Sequence, residues 1–79
     1  MKVKVLFFGA TADAAGRRSI EIDVPEASTS GSAFERVVGQ YPALASHKLL
    51  FSVNQEYAAG DETLRPGDEL AVFTAVSGG

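Results

Sequence analysis

The sequence has no cysteine and a single histidine, His47. Without thiols there is no disulfide, no cysteine-held zinc or iron–sulfur cluster, and no thiol nucleophile. One histidine cannot build a histidine metal cluster, and any Ser–His–Asp arrangement would depend on it alone. Ser46 is its neighbour, but adjacent residues rarely face each other as nucleophile and base, so His47 reads as a surface or loop residue. No metal is expected. Basic residues are also few: seven against ten acidic ones over 79 residues, a net charge of −3. Nucleic-acid binders carry a basic face, so no nucleic acid is expected. A mildly acidic domain suits a basic protein partner instead.

Other absences narrow the choice further. No glycine-rich loop precedes a Lys-Ser/Thr pair, so any ATP chemistry belongs to another protein. No apolar run approaches the ~20 residues of a membrane span. Met1-Lys2 leads into an alternating pattern rather than the apolar block of a secretory signal. A cytoplasmic location away from the membrane is the expectation.

What is present is one small α+β domain covering residues 1–79, with a hydrophobic share of 46%. Residues 2–8 alternate as a strand, with Val3, Val5 and Phe7 on one face and Leu6 and Phe8 on the other. Gly9 to Gly16 is a small-residue connection with about one helical turn through Ala12–Ala15. Ser19 to Val24 forms a second strand that faces Ile20, Ile22 and Val24 inward. Ser28, Thr29 and Ser30 are candidate helix caps, and Ser32 with Glu35 fits a capping box. Phe34, Val37, Val38 and Tyr41 then recur at helical spacing until Pro42 stops them.

Leu49–Val53 reads as a third strand and Tyr57-Ala58 as a short fourth. Pro66-Gly67-Asp68 marks a turn. Glu69–Phe73 is the last strand, with Leu70 and Val72 on one face and Ala71 and Phe73 on the other. Strand, strand, helix, strand, short strand, strand is the order of an α+β roll, with a mixed sheet and one main helix across one face. A tail, rooted at Phe73 and ending at Gly79, follows.

The tail ends Val76-Ser77-Gly78-Gly79. Two residues without Cβ let backbone pass a channel too narrow for side chains and leave the terminal carboxylate unshielded. An α-carboxyl is ionised at neutral pH and can attack an activated phosphate. Elsewhere, Asp61-Glu62 and Asp68-Glu69 lack calcium-loop spacing; they either cap turns or dock a basic partner. Phe73 is either core on the far side of the sheet or an exposed anchor at the root of the tail.

Lys4-Val5-Leu6-Phe7-Phe8, Tyr41-Pro42, Val53-Asn54-Gln55-Glu56-Tyr57, Gly67-Asp68-Glu69 and Val76-Ser77-Gly78-Gly79 together resemble the small subunits of molybdopterin synthase. These are sulfur carriers of the ubiquitin-like class, and the resemblance covers nearly the whole chain. It implies a β-grasp fold. It also implies that an ATP- and Mg-dependent, E1-like enzyme adenylates Gly79, that sulfur replaces AMP to give a covalent thiocarboxylate, and that the tail enters the synthase large subunit. There the sulfur passes to cyclic pyranopterin monophosphate to make molybdopterin, within a heterotetramer.

On that resemblance the chain binds no cofactor and is inert alone. Gly79 and Gly78 form the reacting end, while Ser77 and Val76 thread the channel. Phe73, Phe8 and Leu6 offer apolar contact to the partner. Two departures stand out: Ala12-Asp13 occupies the place of the family's Arg-Glu pair, and Phe73-Thr74-Ala75 that of Phe-Pro-Pro. A carrier for thiamine or tRNA thiolation, and a ubiquitin-like modifier joined to lysines through Gly79, are the rival expectations.

Overall fold

Alternating side chains make the first strand, β1 (Lys2–Phe7), with Val3, Val5 and Phe7 buried and Lys2 and Lys4 in solvent. The computed structural model in which it is seen describes residues 1–75. β1 stops one residue earlier than the pattern suggested. The Phe8 N–H turns away to Thr11 Oγ1 at 2.9 Å, and Gly9 adopts φ 55°. Helix α1 (Ala10–Ala15) follows and is longer than the single expected turn. Gly16 closes it in the left-handed conformation, its N–H donating to the Ala12 carbonyl at 2.8 Å, a geometry that glycine adopts without steric cost.

The chain then returns as β2 (Ser19–Asp23), antiparallel to β1. Helix α2 (Ser30–Gln40) is capped by Thr29, whose side chain accepts the Ser32 N–H at 3.2 Å. The box expected between Ser32 and Glu35 does not form, because Ser32 lies inside the helix and donates its hydroxyl to the Thr29 carbonyl. The fully buried stripe is Ser30, Ala33 and Val37, while Phe34, Val38 and Tyr41 are half-buried.

This rotation has a cause thirty residues away. Gly31 N–H donates to Gly60 O at 2.9 Å, Ser30 N–H to Glu62 O at 2.8 Å, and Thr29 bridges Thr63. The segment from Gly60 to Leu64 thus covers the first turn of α2, and small residues must face it.

Pro42 ends the helix and starts a short 3-10 turn, Pro42–Ser46, that buries Leu44. β3 (Leu49–Val53) and β4 (Glu56–Tyr57) form a hairpin through Asn54 and Gln55, both at positive φ. β5 (Glu69–Thr74) holds Phe73 and Thr74 in register opposite Leu50 and Leu49. The sheet order is β2-β1-β5-β3-β4, with β1 and β5 parallel and every other pair antiparallel. With one main helix across its inner face, this is the β-grasp roll expected from the sequence.

Val3, Val5, Leu70 and Val72 have no solvent exposure, and each such side chain contributes roughly 1.5–3 kcal/mol by leaving water. Phe34 stacks on Phe51 at 4.4 Å and Phe7 meets Tyr41 edge-on at 5.7 Å, closing the two ends of the core. Among the described residues no helix is long and apolar enough to cross a membrane.

Candidate functional site

Period-two alternation places Leu70 and Val72 in the core, so Ala71 and Phe73 stand on the opposite, outer face of the sheet. Register decides their neighbours. Ala71 pairs with Leu6 on one side and Ser52 on the other; Phe73 pairs with Leu50; Ser52 pairs with Tyr57. The Tyr57 and Phe73 rings lie 5.8 Å apart, inclined at 57°, within the range of a favourable aromatic pair. Tyr57 is 78% exposed, Phe8 53% and Leu50 39%.

Phe73 is therefore not a core residue. It is a half-buried aromatic on the outer face, at the end of the strand that leads to the C-terminus. Leu6 shares this face, and Phe8 follows directly on Phe7, the last β1 residue in register with β5. Val76, Ser77, Gly78 and Gly79 lie outside the described residues.

The end of β5 is held by a buried polar group. Thr11 accepts the Phe8 N–H, and its hydroxyl reaches the Val72 carbonyl at 2.7 Å. Where β1 ends, this side chain continues to hold β5. Thr11 has no solvent exposure, and nothing in the local sequence marks it as more than a small helix residue.

Two of the four carboxylates, Glu62 and Asp68, cap turns. Glu62 accepts the Ser30 hydroxyl at 2.5 Å, the Ala59 N–H at 2.7 Å and the Gly60 N–H at 3.0 Å. These bonds, that from Ser30 first, lower its pKa to about 2, since each favours the ionised form. Asp68 accepts the Arg65 N–H at 2.8 Å and the Asn54 amide at 3.1 Å, while Asn54 Oδ1 accepts the Glu69 N–H at 3.0 Å. The Val-Asn-Gln-Glu-Tyr and Gly-Asp-Glu stretches are thus two halves of one clamp between the β3–β4 turn and the start of β5. Asp23 is held low by a hydrogen bond from the Met1 ammonium, with its charge and that of Lys2 adding to the effect.

His47 is exposed at the end of the 3-10 turn, and Ser46 donates to the Ala43 carbonyl rather than facing it. No cluster of metal-ligating side chains occurs among the described residues. What this surface can do is present an apolar patch beside an outgoing strand.

Sequence reasoning missed Tyr57 and Leu50 as members of this patch. Their hydrophobicity is visible in the sequence, but their adjacency to Phe73 exists only once β3, β4 and β5 are in register.

The ThiS family model matches residues 5–79. The molybdopterin synthase sulfur carrier subunit of Homo sapiens is 37% identical over 83 residues, covering 99% of this chain and 94% of that protein. Small archaeal modifier protein 1 of Haloferax volcanii is 39% identical over 82 residues, covering 91% and 94%. The crystal structure of SAMP1 from that organism superposes with a TM-score of 0.88 at 35% identity over 100% of both chains. A complex of subunits 1 and 2 of molybdopterin-converting factor from Helicobacter pylori 26695 contains a chain of the same fold. Its TM-score is 0.73 at 18% identity, covering 100% of both chains.

Proposed function

The chain belongs to the ThiS family, and from that premise we propose that it is the sulfur-carrying small subunit of a molybdopterin synthase. Gly79 is the working end. Its carboxylate attacks the α-phosphate of ATP on an E1-like activating enzyme that supplies Mg, releasing pyrophosphate and forming an acyl adenylate. A sulfur donor displaces AMP and leaves a thiocarboxylate. Inside the large subunit that sulfur attacks a carbon of the cyclic pyranopterin monophosphate and displaces an oxygen substituent, giving a thioester. Water then cleaves the acyl carbon–sulfur bond, which leaves the sulfur on the pterin and frees the carrier as a carboxylate. A second loaded carrier supplies the other sulfur of the dithiolene.

The chemistry accounts for the composition. A carboxylate accepts sulfur only after phosphate activation provides a leaving group, and a thiocarboxylate is a soft nucleophile that needs no cysteine. Gly78 lets both partner sites close around the end, with Ser77 and Val76 behind it in the channel. The observation that carries the proposal is the near full-length identity to a human protein named as this carrier. The apolar outer face around Phe73, Tyr57 and Leu6 supplies a place for the large subunit to dock. Subunits 1 and 2 of the Helicobacter pylori factor form a complex, and a heterotetramer with the large subunit is the assembly proposed here. The test mixes the thiocarboxylated chain with purified large subunit and pyranopterin precursor. Molybdopterin should appear, and its absence beside a working control pair ends the proposal.

A second reading rests on the identity to the archaeal modifier protein. There Gly79 would be joined to lysine amines of other proteins. Mass spectrometry of cells making the chain separates the two. Exchange of one terminal oxygen for sulfur favours the carrier, and Gly-Gly remnants on many lysines favour the modifier.

A further inference from the structure

β1 ends at Phe7 and β2 begins at Ser19, and the connection between them borders an open hollow of about 570 Å³. Leu6, Phe8 and Ala12 give it an apolar lining, with Asp13 and Arg18 among the groups around them. Its geometry is set by the backbone. The Phe7 N–H donates to the Arg18 carbonyl at 2.8 Å, so Arg18 is tied to the last residue of β1. The left-handed turn at Gly16 brings Arg17 and Arg18 directly after α1.

Both arginines are exposed, and among the described residues neither forms an ion pair; the bridges present join Met1 and Lys2 to Asp23. Arg17 and Arg18 set two adjacent positive charges at this end of a chain of net charge −3, that of Arg18 on the lining of the hollow. A guanidinium offers a planar fork that matches a carboxylate.

The position of the hollow says what meets it. Leu6 pairs with Ala71 and Phe7 with Val72 in the parallel ladder, so the hollow lies at the end of the sheet from which β5 runs on to the C-terminus. A protein that takes that terminus into its own site must approach this end. We propose that the hollow docks a segment of the tail-receiving large subunit, in which an apolar side chain enters beside Leu6 and Phe8 and a neighbouring carboxylate pairs with Arg18. Asp13, on the same lining, opposes that carboxylate and sets which partner segments are accepted. This rests on the carrier reading above.

The test titrates the full chain with purified large subunit at low and high salt. Arg18→Glu places like charges opposite one another and should weaken the Kd about tenfold or more at low salt. The gap should narrow at high salt, because exposed charges are screened. Asp13→Asn should tighten binding by a few fold, a change of sign that general damage to the fold does not produce. Matching amide spectra for both variants confirm that the domain is intact.

An Arg18→Glu variant with the wild-type Kd overturns the inference, as does a loss that ignores salt. So does a variant whose subunit affinity is unchanged while the KM for pyranopterin phosphate rises, which would make Arg18 a substrate-phosphate contact. Failure of the wild-type chain to bind the large subunit overturns the carrier reading itself, and is distinguished by affecting every variant alike.

Discussion

The Thr11 hydroxyl lies 2.7 Å from the Val72 carbonyl oxygen, sixty-one residues away in sequence, and ties the first helix to the strand that carries the C-terminus. Thr11→Val keeps the shape and removes the hydroxyl. The Val72 carbonyl loses this donor at a buried site, and the Phe8 N–H loses its side-chain acceptor at a partly buried one. The expected loss of stability is about 1–3 kcal/mol, measured by urea unfolding. Thr11→Ser should recover most of it. A Thr11→Val protein as stable as wild type would show that the bond contributes nothing.

Two glycines in one helix should respond in opposite directions. A Cβ on Gly31 would sit 2.8 Å from the Gly60 carbonyl oxygen, whereas a Cβ on Gly39 meets nothing within 4 Å. Gly39→Ala should therefore stabilise by about 0.5–1 kcal/mol through helix propensity alone. Gly31→Ala gains the same propensity but must push the covering segment away, for a net cost of about 1–3 kcal/mol. Thermal unfolding of the two single variants decides it, and stabilisation by both would refute the close approach.

That contrast also marks how far the sequence could be read. Alternation at Val3, Val5 and Phe7, and again at Leu70 and Val72, revealed the strands and their inner faces, because a half-buried strand imposes period two on its residues. Pro42 and the helical spacing before it located α2. The buried stripe of α2 runs through Ser30 and Ala33 as well as Val37, and Ser30 is held by a segment whose approach no local pattern encodes. Phe73 was ambiguous for a related reason: one strand cannot tell whether its second face is covered. Thr11 gave no signal, because its value lies in a carbonyl distant in sequence. The hollow beside Arg18 depends on two strand ends meeting. Local chemistry was legible, while contacts that require register were not.

Glu62 gives the fold an acid-sensitive clamp. Its pKa is about 2 in the folded chain against an ordinary value of 4.5. The folded value is the lower one, so the unfolded chain binds the proton more tightly. The contribution is complete above about pH 4.5 and is lost as pH falls towards 2. Glu62→Gln should lower the melting temperature at neutral pH and flatten its decline across that window. Some slope should remain, because Asp23 is shifted in the same direction. A variant whose acid limb overlays that of wild type would remove the clamp from the account.

Tyr57 separates docking from folding. Its ring meets Phe73 yet is 78% exposed, so its removal leaves the core intact. Tyr57→Ala should lower the unfolding free energy by only about 0.5–1.5 kcal/mol, the worth of the lost aromatic pair. An aromatic buried at the centre of an interface commonly carries more than ~1 kcal/mol of binding, so affinity for the large subunit should fall about fivefold or more. Adenylation and thiocarboxylation can be followed by mass, which shows whether the same patch serves the loading enzyme. Normal affinity in a well-folded Tyr57→Ala protein would mean that the large subunit approaches from another side, leaving the patch around Phe73 without its assigned role.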